Sequence, residues 1–298
     1  MRWLLMLAVL LLGMSGVAHA GEGRMVRIEA FASERVQPRA VTIWLPSGYD
    51  REPAKRFPVL YVQDGGSAFG PQRLDIDGAI SRLSGEGKMR AAIVVAVSAT
   101  ELRSREYFPA KLYELMPPDY RASADRFTGG APMGDAYAAF LATELKPFID
   151  REYRTLAGPA DTSILGVSLG GMIAFYALGE YPKVFGQAAG LSPYWPLGNP
   201  VGPPIGTPEG ATTMVNIFAT WLMRSKADPK INRLYMDRGT LTLDWGFAPF
   251  TDALNLVMPA LGWVRGRTWE SRVYPGGDHS NDAWRVRMDV PLIFLIGS

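Results

Sequence analysis

The chain contains no cysteine. Disulfides, thiolate nucleophiles and cysteine-ligated metals are therefore closed to it. Histidine is almost absent as well, since only His19 and His279 carry an imidazole among 298 residues. A histidine-based zinc centre, which needs several His or Cys ligands, is excluded on that count, and we expect neither metal nor cofactor. Excess charge of one sign is missing too: 31 Lys and Arg against 29 Asp and Glu leave a formal net charge of +2. With no basic tract to release counterions from phosphates, nucleic acid is not an expected partner. Beyond the first twenty residues, no apolar run approaches the roughly 20 residues a membrane-spanning helix requires.

The single long apolar run stands at the start. Arg2 is followed by unbroken apolar residues from Trp3 to Leu12, small or apolar residues up to Val17, and then Ala18-His19-Ala20. A positive start, a short apolar core and a small-x-small site are the pattern of a secretory signal peptide. The expectation is a signal peptide over 1–20, cleaved before Gly21, and a periplasmic or secreted protein with no stable membrane anchor afterwards. His279 is then the only histidine of the mature chain. Residues 21–298 suit a single domain. The whole chain's 48% hydrophobic and 20% charged composition is that of a globular protein stabilised by its core.

Apolar strands alternate with helical patterns along the chain, which argues for an α/β fold around a mostly parallel sheet flanked by helices. Residues 25–31 and 40–45 alternate with period two, as an opening antiparallel pair does. Residues 57–62 and 91–97 are near-continuous apolar runs, as buried strands read. Residues 136–153 are helical, with Phe140, Leu141, Leu145, Phe148 and Ile149 on one face. A strand is expected at 162–167, a helix at 172–178, further strands at 185–191, 234–236 and 269–274, and a helix at 250–261. Residues 291–296 form the last apolar element. Between the sixth and seventh strands lies an insert, 195–231. Its first half holds Pro196, Pro200, Pro203, Pro204 and Pro208 and reads as a loop. Its second half places Met214, Ile217, Phe218, Trp221 and Leu222 on a helical stripe, read either as a packing helix or as a cap over the site.

Gly166-Val167-Ser168-Leu169-Gly170 is G-x-S-x-G. The pattern is common by itself. Here it follows an apolar strand and opens into a helix, the context a nucleophile elbow requires. The glycines suit a sharp turn with close backbone approach, and the turn puts the Ser168 hydroxyl at a helix N-terminus that favours negative charge. A serine hydroxyl is a poor nucleophile until a base takes its proton. The one available imidazole is His279, in a loop after the strand ending at Tyr274. An acid between these two in the chain would hold the imidazole's tautomer and stabilise its charged form. Asp237, at a strand end, and Asp244, in the following loop, are the candidates. Asp244 is preferred because a loop carboxylate can reach across to the histidine. The developing oxyanion needs two N–H donors. Leu169, next after the nucleophile, supplies one, and Gly66, in Gln63-Asp64-Gly65-Gly66-Ser67, is chosen for the other, with Asp64 as a brace.

Taken together, these segments resemble the esterase-D-like and enterochelin-esterase-like family of α/β-hydrolases. The likeness runs over most of the mature chain. It includes Trp44-Leu45-Pro46, Pro58-Val59-Leu60-Tyr61-Val62, Asp64-Gly65, Arg105-Glu106-Tyr107, Glu144-Leu145-Lys146-Pro147, the elbow with Tyr181-Pro182, Ser192-Pro193, Thr242-Leu243-Asp244, and His279 with Ala283-Trp284. The resemblance implies an α/β-hydrolase fold, a Ser168–Asp244–His279 triad, and an oxyanion hole at Gly66 and Leu169. It departs from the family at Gly66, where members often carry a larger residue.

The expected function is an exported serine esterase that cleaves a small-molecule carboxylic ester through an acyl-enzyme. Two alternatives use the same scaffold: an acyltransferase with the same triad, and a catalytically silent binding protein. Trp195, Trp221 and Trp245 flank the expected site and read either as core residues or as stacking surfaces for substrate.

Overall fold

The computed structural model of the chain describes residues 23–297; the expected signal peptide lies outside the described residues. Eight strands form one sheet: β1 (Arg24–Phe31), β2 (Arg39–Leu45), β3 (Val59–Gln63), β4 (Ile93–Val97), β5 (Thr162–Val167), β6 (Gln187–Leu191), β7 (Arg233–Arg238) and β8 (Trp269–Val273). Their spatial order is β1-β2-β4-β3-β5-β6-β7-β8. β1 with β2, and β2 with β4, are antiparallel; every later pair is parallel. This is the α/β-hydrolase fold.

β3, β4, β5 and β6 are buried at every position, which is why their sequences run apolar instead of alternating. Parallel strands need crossover helices, and helices cover both faces. One face carries Ile76–Gly85 and Asp289–Ile296, whose Ile80, Leu83, Leu292 and Leu295 pack under Leu60, Val94 and Leu165. The other face carries Leu169–Glu180, Pro208–Arg224 and Ala248–Ala260. The insert between β6 and β7 contributes the middle helix of that layer. Its Phe218 meets Phe175 and Trp195, and its Trp221 stacks on Tyr176. The proline-rich start of the insert is irregular and leans on the helix Pro118–Thr128, through Asn199 N to Ser123 Oγ (3.0 Å) and Tyr120 Oη to Pro204 O (3.3 Å).

The helix expected over 136–153 is three joined pieces: Gly134–Phe140, a wide π-type turn at Leu141–Leu145, and Lys146–Glu152. Pro147 has no N–H to offer the preceding turn and its ring crowds the carbonyl four residues back, so the helix widens there. The helix 103–106 with its flanks was not legible as a helix. It exists because Glu106 is held from outside by Arg39 of β2, at 2.6 and 3.0 Å, with Thr100 Oγ1 at 3.1 Å. The two side chains are 0% and 1% exposed, and the guanidinium lies over the rings of Tyr137 and Phe140. Among the described residues, no helix is long and apolar enough to cross a membrane.

A buried ion pair deprived of one partner leaves a stranded charge, at a cost of about 3–5 kcal/mol. Glu106→Ala is accordingly expected to lower the urea midpoint sharply. Asp50→Ala, which removes the exposed partner of Arg24, should cost at most about 1 kcal/mol. Equal midpoints for the two variants would contradict the importance given to the buried pair.

Candidate active site

Because β3, β5, β6, β7 and β8 are parallel, the loops after all five leave from one edge of the sheet. Gly66, Ser168, Asp244 and His279 sit on these loops, Leu169 opens the helix after β5, and Asp237 lies near the end of β7. Such crevices at the carboxyl edge are where open α/β sheets place their sites.

Ser168 joins β5 to the helix Leu169–Glu180 with φ 54° and ψ −127°. This is a strained conformation for a residue with a side chain, and it projects Ser168 at the turn's apex. Close packing enforces it. A Cβ on Gly166 would lie 2.1 Å from Gly170 O, and one on Gly171 would lie 2.9 Å from the Cα of Gly190 on β6. The helix that follows is buried along almost its whole length, so the turn cannot relax outward. Ser168 N donates to Leu191 O (2.9 Å), and Ser168 O accepts from Tyr194 N (3.1 Å).

Asp244 lies in a 3-10 turn, Thr242–Phe247, and is 0% exposed. One carboxylate oxygen, Oδ1, is 2.6 Å from His279 Nδ1. The other, Oδ2, accepts from Ser192 Oγ and from the Gly239 N–H. Burial works to raise the Asp244 carboxyl, but the hydrogen bonds from His279, Ser192 and Gly239 outweigh it and hold the group below its ordinary value. Each such bond to a charge contributes about 1.5–3 kcal/mol. Three of them are of the size needed to offset a desolvation cost of several kcal/mol.

His279 is oriented by more than Asp244. Its backbone N–H donates to Thr242 Oγ1 (3.0 Å). The acid loop and the histidine loop are stitched together where Thr240 N and Leu241 N both donate to Gly277 O, at 2.8 and 2.9 Å, and Gly276 N donates to Thr240 Oγ1 at 2.9 Å. The imidazole stands edge-on to Trp284 (4.8 Å) and to Phe247 (5.8 Å). Phe247 in turn meets Tyr194, the neighbour of Ser168. The ring and the Ser168 hydroxyl thus share one neighbourhood but do not hydrogen-bond to each other in this structure.

The alternative acid, Asp237, is engaged elsewhere. Its Oδ1 accepts from Ser192 N (3.0 Å) and lies 2.9 Å from Arg287 Nη2, and its Oδ2 accepts from Tyr235 Oη (3.0 Å). Burial pushes this carboxyl up to about 6, against the opposing pull of Arg287.

The loop after β3 lies against the elbow, for a Cβ on Gly170 would be 3.1 Å from Asp64 Oδ2 and 3.3 Å from the Cβ of Gln63. Asp64 braces this loop through Arg103 at 2.6 and 2.8 Å. Gly65 is sterically required, with an added Cβ only 2.7 Å from the Ala96 carbonyl carbon. Gly66 faces open space, so the family's larger residues would fit there. Its carbonyl accepts from Arg73. The Leu169 amide opens its helix, where the first N–H groups have no intrahelical acceptor.

Of the three tryptophans, Trp195 and Trp221 are buried in the core, whereas Trp245 is 75% exposed beside Asp244. Sequence reasoning assigned no role to Ser192, Thr242, Trp284 or Arg287. Ser192 and Trp284 stood within family-like segments, but nothing in linear order joins either to Asp244.

The profile described as "Putative esterase" matches residues 33–295, and the chain belongs to this Esterase family. A curated relative, Uncharacterized protein YbbA of Bacillus subtilis (strain 168), is 29% identical over 158 residues, covering 53% of this chain and 58% of the relative. The chain spans less than two thirds of the length of the curated relatives it matches. Among solved structures, a ferulic acid esterase superimposes with a TM-score of 0.64 at 20% identity, covering 92% of this chain and 98% of the other. An IroE-like serine hydrolase from Shewanella oneidensis superimposes with a TM-score of 0.65 at 18% identity, covering 92% and 80%. At these identities the likeness establishes the shared fold.

The two buried acids titrate in opposite senses. Asp237, raised above the unfolded value of about 3.9, contributes stability below that value and loses it as pH rises toward about 6. Asp244, lowered, contributes stability above about 3.9 and loses it as pH falls through its folded value. Asp237→Asn should therefore flatten the decline in urea midpoint between pH about 4 and about 6. A variant curve parallel to wild type across that window would refute the burial effect.

Proposed function

We propose that this protein is an exported serine esterase that hydrolyses a small-molecule carboxylic ester through an acyl-enzyme. The observation that carries the reading is the 2.6 Å bond from His279 Nδ1 to the buried Asp244 carboxylate, at the sheet edge from which Ser168 projects. Family membership supports the ester-cleaving class.

In this reading the substrate brings Ser168 Oγ and His279 Nε2 within hydrogen-bonding reach, as catalytic bonds often tighten only in the complex. Oγ attacks the ester carbonyl carbon while Nε2 takes its proton. Asp244 holds the imidazole by Nδ1 and stabilises the imidazolium. The carbonyl oxygen gains negative charge and is held by the amides of Leu169 and Gly66. The C–O bond to the alcohol breaks, and Nε2 returns the proton to the departing alkoxide. A water, deprotonated by the same nitrogen, then attacks the acyl carbonyl carbon; the bond to Oγ breaks, Nε2 returns the proton to Oγ, and the acid leaves with Ser168 regenerated. Export follows from the signal-peptide pattern of residues 1–20.

Ser168→Ala is expected to lower kcat for p-nitrophenyl acetate by at least about 10³-fold, His279→Ala by a comparable factor, and the double variant by no more than either. Retention of wild-type turnover by Ser168→Ala would end the acyl-enzyme reading. For export, intact-mass analysis of the periplasmic fraction should give a chain beginning at Gly21.

A further inference from the structure

One side chain behind the site has every one of its bonding positions taken. Ser192 follows β6, is fully buried and has φ 45°. A hydroxyl has two lone pairs and one proton. Arg287 Nη2 donates to Ser192 Oγ at 2.7 Å and Trp284 Nε1 donates at 3.0 Å. Neither donor can accept in return, so both lone pairs are used. The proton is left one destination, Asp244 Oδ2. The Ser192 backbone is anchored as well, its N–H shared between Asp237 Oδ1 and Asp237 O.

The carboxylate of Asp244 is then divided between two duties. Oδ2 takes Ser192 and Gly239, and Oδ1 is left for His279. Without the hydroxyl, Oδ2 would keep the Gly239 amide and an Arg287 nitrogen 3.7 Å away. Arg287 itself is buried, with Nε and Nη1 unpaired among the described residues and the guanidinium over the Tyr274 ring. It belongs first to Asp237, at 2.9 Å. The charged and titratable groups around Asp244 are His279, Arg287, Asp237 with Tyr235 and Tyr274 behind it, Arg238 at the end of β7 and Asp278 beside His279.

We propose that Ser192 is a positioning residue: by donating to Asp244 Oδ2 under the double constraint of Arg287 and Trp284, it fixes the carboxylate plane that aims Oδ1 at His279. The proposal rests on the esterase reading above. It also explains how a single guanidinium serves two neighbouring acids without pulling Asp244 from the histidine, since the hydroxyl stands between them and passes on the polarisation as a hydrogen bond.

The test compares Ser192→Ala with wild type and Ser168→Ala on p-nitrophenyl acetate, over pH, with thermal melts for folding. Ser192→Ala should lower kcat about 10- to 100-fold with KM within about twofold, the size of one buried hydrogen bond to a charge. It should also move the acid limb of kcat/KM to higher pH. A carboxylate that has lost a donor is more basic, steadies the imidazolium, and so delays formation of the neutral base. A purely structural role would scale activity down equally at all pH values and leave the limb in place. Trp284→Phe keeps an aromatic ring in place beside His279 but removes one donor to Ser192. It should shift the limb the same way with a loss of about 2- to 10-fold, and it carries the test if Ser192→Ala does not fold. Wild-type kcat in Ser192→Ala, or an acid limb unmoved or moved down, overturns the positioning role while the esterase reading stands. Inactivity of wild type, or full activity of Ser168→Ala, overturns the esterase reading instead.

Discussion

A carboxylate with no solvent exposure governs the organisation of this molecule's functional edge. Removed from water, the Asp244 charge is tolerable only if donors surround it. Those donors come from the loops after β6, β7 and β8, as Ser192 Oγ, Gly239 N and His279 Nδ1. None of the three loops can shift without stranding the charge. The need to solvate one buried acid therefore holds three chain segments in register at one end of the sheet, and the histidine is positioned as part of that arrangement.

The elbow at Ser168 applies a second constraint of a different kind. There the forces are steric. Gly166 and Gly171 let strand, turn and helix approach to distances at which a Cβ would collide with backbone, and a Cβ on Gly170 would crowd the Asp64 and Gln63 side chains. The cost is a strained φ at Ser168, sustained because the helix Leu169–Glu180 is buried on nearly all sides. Packing thus fixes the hydroxyl, whereas hydrogen bonding fixes the imidazole. Tyr194 and Phe247 connect the two regions through ring contacts.

Much of the framework was legible in linear order because burial leaves a direct mark on composition. The strands at 57–62, 91–97 and 162–167 read as apolar runs since both faces of a parallel sheet are covered. They appear as Val59–Gln63, Ile93–Val97 and Thr162–Val167. The helix Arg103–Glu106 was not legible, because it is held by Arg39, 67 positions away from Glu106, and local periodicity carries no trace of such a bond. The π-type turn at Leu141–Leu145 was likewise unread, although Pro147 signals its cause. For Trp195 and Trp221 composition could not separate core from surface, and packing put both inside.

By itself the sequence determined which chemistry was available. With no cysteine and one histidine after residue 20, the sequence pointed to an imidazole-assisted serine in a strand-turn-helix setting as the expected chemistry, with Asp237 or Asp244 as the acid between Ser168 and His279. Tertiary structure decided which of two neighbouring acids faces the histidine. Asp237 and Asp244 are chemically identical and seven positions apart, but one is taken up by Arg287, Tyr235 and the Ser192 amide, and the other is left open toward His279. That choice depends on donors brought in from the loop after β6 and from the segment 284–287, whose approach only the folded sheet creates.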